Sequence, residues 1–184
     1  MSTVLSAYED NVIGWIQNIV VGLNLCPFAR KPFESHQVRI VCEEVTEEDA
    51  ILEVVLRELC LLEDTPAQEL ETTLIALPKA YANFNEFNSL LYVLNEVLVL
   101  EGFEGVFQIA SFHPHYQFAG THADDLENFT NRAPYPIIHL IREDSVSAAL
   151  DSHPDPDSIP ENNIKRLESM SASEVKTLFS YLFH

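Results

Sequence analysis

The chain has 184 residues, 10 Lys+Arg against 29 Asp+Glu and a formal net charge of −19, with 47% hydrophobic and 21% charged residues. That is too apolar for a disordered chain and long enough for a core of its own, so a single globular domain over residues 1–184 is expected. The charge repels phosphate backbones and anionic lipid, which speaks against nucleic-acid or membrane partners, and Cys26, Cys42 and Cys60 are odd in number with no CxxC pair, which fits a reducing cytoplasm.

Residues 1–10 lack a basic n-region and reach Glu9 and Asp10 before any apolar stretch, so no secretory signal is expected. Residues 11–29 carry no formal charge, but Asn11, Gln17, Asn18 and Asn24 interrupt them, which favours an amphipathic helix over a membrane span. Ser6 with Glu9 forms a capping-box pattern, Val12, Ile16, Ile19 and Leu23 form the apolar stripe, and Gly22 stands near the expected end. Trp15, the single tryptophan, is expected to flank the buried face.

Val38, Ile40 and Cys42 then share one face of a strand, and Thr46 with Asp49 opens a helix striped by Ile51, Val55, Leu59 and Leu62. Residues 72–77 read as a second strand stopped by Pro78. Phe87, Leu91, Leu94 and Leu98 mark a helix ending at Gly102, and a third strand follows over about 105–112. Such βαβαβ units predict parallel strands with helical crossovers. A fourth strand over 136–142 returns after a long irregular segment. The expected fold is α/β, or α+β, with a small, mainly parallel four-stranded sheet flanked by helices. Residues 151–160 are rich in Asp, Pro and Ser, and a helical pair over about 158–183 follows. Ser158 with Glu161 and Ser171 with Glu174 are its box patterns, and Val175, Leu178, Phe179 and Leu182 its last stripe.

Chemistry is expected in residues 113–135, a loop too long to be idle inside a compact domain and placed where α/β sheets bind ligands. His113-Pro114-His115 invites a metal reading, with His113 and His115 as ligands to one divalent ion and His122, Asp124, Asp125 or His139 as a third. Pro114 works against it by splaying the two rings, and hydrogen-bonded loop histidines are the alternative. His139 interrupts an apolar strand between Ile137 and Ile141, either as a satisfied core histidine or as a catalytic group. Cys26 lies close to Arg30, as a depressed-pKa nucleophile served by a histidine base or as a small core residue.

Arg30, Arg132 and Arg142 would make an anion pocket, with Tyr116 and Asn131 beside Arg132 as substrate contacts, unless ordinary ion pairs to groups such as Glu71, Glu143 or Asp144 consume them. His36, His153 and His184 stand in no constellation. A Gly-rich phosphate cradle and a GxSxG elbow are both missing, so nucleotide-binding and serine-hydrolase readings lose support.

Four blocks, Leu23-Asn24-Leu25-Cys26-Pro27-Phe28-Ala29, Glu71-Thr72-Thr73-Leu74, the run from Glu104 to Pro114, and Thr130-Asn131-Arg132-Ala133-Pro134-Tyr135-Pro136, resemble the signature of a bacterial domain-of-unknown-function family, number fourteen-fifteen. The likeness extends over nearly the whole chain and implies a single cytoplasmic domain, with no reaction or substrate to transfer. Members often carry serine where this chain has Ala133, which implies that such a hydroxyl is not an indispensable nucleophile. The residues themselves favour a small-molecule enzyme with catalytic Cys26, His113, His115 and His139 and an anionic substrate held by Arg30 and Arg132. The competing reading is a non-catalytic binding or interaction domain that uses the 113–135 loop.

Overall fold

The computed structural model describes residues 3–183, so His184 lies outside it. Helix α1 (Thr3–Trp15) runs without a break into a π-helical segment, Ile16–Val21. Ser6 therefore lies inside the helix and caps nothing, although Val12, Ile16, Ile19 and Leu23 are all buried as their spacing requires. Trp15 is buried with them rather than beside them. A Cβ at Gly22 would collide with the carbonyl of Asn18, so only glycine fits where the wide π turn closes.

A short helix absent from the sequence reading, α2 (Arg30–Glu34), precedes β1 (Val38–Cys42). Helix α3 (Glu48–Asp64) starts after Glu47 without a side-chain cap, contrary to the Thr46–Asp49 pattern, and buries Ile51, Val55, Leu59 and Leu62 as expected. Strand β2 (Thr72–Ala76) is buried along its whole length. Helix α4 (Phe84–Leu100) is capped by Asn83 and ends before Gly102, whose φ of +80° lets the chain reverse. Its buried stripe uses Leu90, with Leu91 only half-buried.

Strands β3 (Phe107–Phe112) and β4 (Ile137–Arg142) complete a sheet of order β1-β2-β4-β3. The sheet is mixed, not mainly parallel. β1 and β2 are parallel, whereas β4 is antiparallel to both β2 and β3. The crossover through α4 skips one strand position, and β4 fills the gap. The reason is burial on both faces: Ile137, Ile138 and Leu140 are fully covered, so β4 needs pairing along both edges as well.

Val38, Ile40 and Cys42, Leu74 and Ala76, and Ile137 and Phe112 face the core built with α1, the π segment and the C-terminal helices. Val41, Ile75, Leu77, Ile138, Leu140 and Phe107 face α3 and α4. After β4 come α5 (Glu143–Ser152), which the sequence reading left out and which has no buried side chain, then α6 (Ile159–Glu168) and α7 (Ala172–Leu178). Ser171 and Glu174 form the predicted box on α7, but Ser158 bonds back to the carbonyl of Asp155 instead of capping α6.

Two polar features on the α3/α4 side were not legible. Glu58, fully buried on α3, is gripped by Arg39 Nε at 2.7 Å and Arg57 Nη2 at 3.1 Å, fastening α3 to β1. Arg142 donates to the carbonyls of Leu62, Thr65 and Leu70, placing a cation at the negative end of α3. Nearby, the buried hydroxyl of Thr73 has no partner among the described residues. Thr73→Val keeps the shape and removes the orphan group, so it should stabilise the fold by about 1 kcal/mol. Denaturant titration checks this, and a loss of stability would show that the hydroxyl does have a partner.

Candidate functional site

The long loop begins where β3 ends, and its first residue sets its shape. His113 is fully buried, packed between the rings of Phe84 at 5.3 Å and Phe87 at 5.4 Å. Its Nδ1 accepts the main-chain N–H of His115 at 2.9 Å, so the ring proton is on Nε2, which donates to the Tyr81 carbonyl at 2.9 Å. Both nitrogens are consumed by backbone, and Tyr81, held at a positive φ of 54°, is pinned to the loop by that bond. The exposed His115 ring lies 5.8 Å from that of His113, centroid to centroid.

A 3-10 helix, Leu126–Asn131, ties the middle of the loop around Asn128, a buried residue with no warning in the sequence. Its Oδ1 accepts from Phe118 N–H and Thr121 Oγ1, both at 2.9 Å, and its Nδ2 donates to the His122 carbonyl at 2.7 Å. Arg132 lies 4.4 Å over Phe129 and donates to the carbonyls of Tyr116 and Ala123. Asn131, next to Arg132 in the chain, donates to the Ser111 carbonyl on β3. Of the expected substrate contacts, Tyr116, Asn131 and Arg132 are thus brought together, with the arginine spent on main-chain carbonyls.

Behind this loop lies a groove. The Arg132 carbonyl accepts from Trp15 Nε1 at 3.0 Å and from the Tyr181 hydroxyl at 3.2 Å, while Asn11 Nδ2 donates to the Tyr135 hydroxyl at 2.7 Å. These contacts hold α1, the end of the loop and the C-terminal segment around a space of about 530 Å³, whose wall includes Asn18 and Thr177 and carries no charged side chain. Burial pushes the Tyr181 hydroxyl far above the usual phenol range, so it stays a donor.

The remaining candidates lie apart from the groove and from one another. Cys26 is pushed up, not down, because burial outweighs the main-chain N–H groups of Phe28 and Ala29 that favour its thiolate. Buried Asn163 on α6 donates to the Leu25 carbonyl and fixes that turn. Arg30 donates to the Val21 carbonyl and pairs with Glu34, so Arg30, Arg132 and Arg142 serve three separate main-chain clusters and form no common anion pocket. Among the described residues, the carboxylate partners of the arginines are Glu34, Glu43 and Glu58, not Glu71, Glu143 or Asp144.

His139 projects from the opposite face of the sheet to His113. Thr72 Oγ1 spends its proton on the Leu140 carbonyl at 2.6 Å, so it accepts from His139 Nε2 at 2.7 Å. Burial holds this imidazole at about 4, neutral at physiological pH. Because His113 and His139 lie on opposite faces, they cannot share an ion. Among the described residues, no three His, Cys, Asp or Glu side chains stand where they would hold a metal.

Three of the four blocks singled out in the sequence supply Thr72, His113, Asn131 and Arg132, the residues that knit strands, loop and groove. A family model described as "Protein of unknown function (DUF1415)" matches residues 7–177. The chain belongs to the DUF1415 family. No curated protein and no solved structure matches it. Among the described residues of this DUF1415 chain, no helix is long and apolar enough to cross a membrane.

His113 and His139 fix an acid response for this DUF1415 fold. Both have pKa values below the ordinary 6.5, so the unfolded chain binds more protons as the pH falls below 6.5. Their contribution is whole above 6.5 and is lost toward acid, with His139 worth roughly 3 kcal/mol by pH 4. Between pH 6.5 and 5, Tm should fall in the native sequence and fall less steeply in a His113→Asn, His139→Asn variant. An equal slope in both would assign the loss to other groups.

Cys60 is exposed while the Cys26 thiol is raised, so iodoacetamide at neutral pH should label Cys60 first. Preferential labelling of Cys26, read by peptide mass spectrometry, would restore the nucleophile reading.

Proposed function

We propose that this DUF1415 protein binds a small, uncharged, hydrogen-bonding aromatic molecule in the groove between α1, the Pro134–Tyr135 turn and the C-terminal segment, without turning it over. One observation carries the reading: a volume of ligand size is walled by Trp15, Tyr135 and Tyr181 together with neutral amides and hydroxyls, in a chain of net charge −19. Trp15 lies buried at the base of the groove, and the half-buried Tyr135 ring offers the stacking area. The Tyr135 hydroxyl, which accepts from Asn11, keeps its own proton to donate, and Asn18 offers an amide.

An enzyme that uses Cys26, His113, His115 and His139, with a divalent ion and an anionic substrate, finds less support. Such chemistry needs convergent groups with free lone pairs, whereas the His113 nitrogens are occupied and the arginines face carbonyls. The choice between the two readings is one of ligand charge. Titration of Trp15 fluorescence with nicotinamide and with nicotinate, which share a ring and differ in charge, separates them. Nicotinamide should bind the more tightly, and Tyr135→Phe should weaken it roughly 3- to 10-fold. Tighter nicotinate binding, or nicotinamide binding that Tyr135→Phe leaves unchanged, would refute the groove reading.

A further inference from the structure

Strand β3 forms one edge of the sheet. The Val106 carbonyl accepts the Glu143 N–H at 3.0 Å, which turns the main-chain groups of the even-numbered residues toward β4. Those of Phe107, Ile109 and Ser111 therefore point outward. Two of these outward groups are satisfied within the chain. The Phe107 N–H donates to the Phe103 carbonyl at 3.1 Å, and the Ser111 carbonyl accepts from Asn131 Nδ2 at 3.2 Å. Among the described residues, the Phe107 carbonyl, both groups of Ile109 and the Ser111 N–H have no partner.

Those open groups are self-complementary. When a second β3 is laid antiparallel about a twofold axis at Ile109, each Ile109 N–H meets the other chain's Ile109 carbonyl, and each Ser111 N–H meets the other chain's Phe107 carbonyl. The Phe107 N–H and Ser111 carbonyl, which would be each other's mates, keep their bonds to Phe103 and Asn131, so the pairing is confined to the bonds donated by the Ile109 and Ser111 N–H groups of each chain.

The strand itself carries nothing that would keep a second copy away. From Phe107 to Phe112 the strand has no charged residue and no proline, the devices that normally guard an edge, whereas the other edge strand, β1, carries Arg39. Two copies at −19 each repel, and an uncharged strip is where they can approach to hydrogen-bonding distance. Across the axis Ile109 would face Ile109, Gln108 would lie beside Ala110, and Val106, 45% exposed, would lie opposite Phe112.

We propose that the protein forms a homodimer by antiparallel pairing of β3 with β3, joining the two sheets into one. Sedimentation equilibrium of the intact chain at about 100 µM and about 0.5 M salt, where the repulsion is screened, should give twice the 20.8 kDa chain mass, with dissociation favoured at low salt. Ile109→Pro removes an outward N–H and no bond to β4, and Gln108→Lys places like charges near the axis. Either variant, if its circular dichroism is native, should sediment as a monomer. Hydrogen exchange on the unaltered protein requires neither variant to fold: the Ile109 and Ser111 amides should be protected at high concentration and exchange at least 10-fold faster on dilution. A monomer at high salt, a dimer that persists in a folded variant, or fast exchange of these amides at every concentration would overturn the proposal.

Discussion

Strand β4 is buried on both faces and paired along both edges, and the arrangement of the other elements follows from satisfying it. Ile137, Ile138 and Leu140 require helices on either side, which α1 with the C-terminal helices and α3 with α4 supply. The strand's position between β2 and β3 requires the α4 crossover to skip a place, and its antiparallel direction requires β3 and β4 to be joined at one end of the sheet. That join is residues 113–135. Phe112 pairs directly with Ile137, so a hairpin turn of a few residues would close the same sheet, and the length of the loop has no topological cause.

The polar side chains of the loop are best understood through what an ordered loop needs. A segment without a ladder must pair its main-chain groups some other way, and here side chains do it: Asn128, Arg132 and His113 each engage two or more main-chain groups. The same demand explains Arg142 at the end of α3 and Asn163 against Leu25. Residue types that attract a catalytic reading in one dimension are, in three, largely hydrogen-bonding caps for irregular backbone. The groove is a by-product of this economy, since the Arg132 carbonyl gathers both Trp15 and Tyr181 into its lining.

Much of the fold was legible because helix and strand periodicities report burial directly. The stripes of Val12, Ile16 and Ile19, and of Ile51, Val55 and Leu59, are core, and each strand falls within a few residues of its expected span. Strand order was not legible, because the continuous apolar run of β4 signals two covered faces and says nothing of which neighbours pair with it. Helix α5 was missed because its residues are half-buried at most, which leaves a weak stripe. At the candidate site, His113 and Arg132 stood out by residue type, but their partners are carbonyls, which every residue has and no sequence marks. Tyr181 and Asn11, distant in sequence from the loop, became part of the groove only through the fold.

The π-helical segment Ile16–Val21 has a consequence for how this chain tolerates change. It is the last turn of the helix: Asn11 and Trp15, on the α-helical part, line the groove, and Leu23 and Leu25 follow in the turn beyond Val21, buried in the core. A π turn holds one residue more than an α turn closed between the same points. Removing one residue from this stretch would relax it to an ordinary α turn with its ends in place, whereas removing one from the α-helical part would turn the groove residues against the core by about 100°. A one-residue deletion is thus absorbed at the end of this helix and not within it.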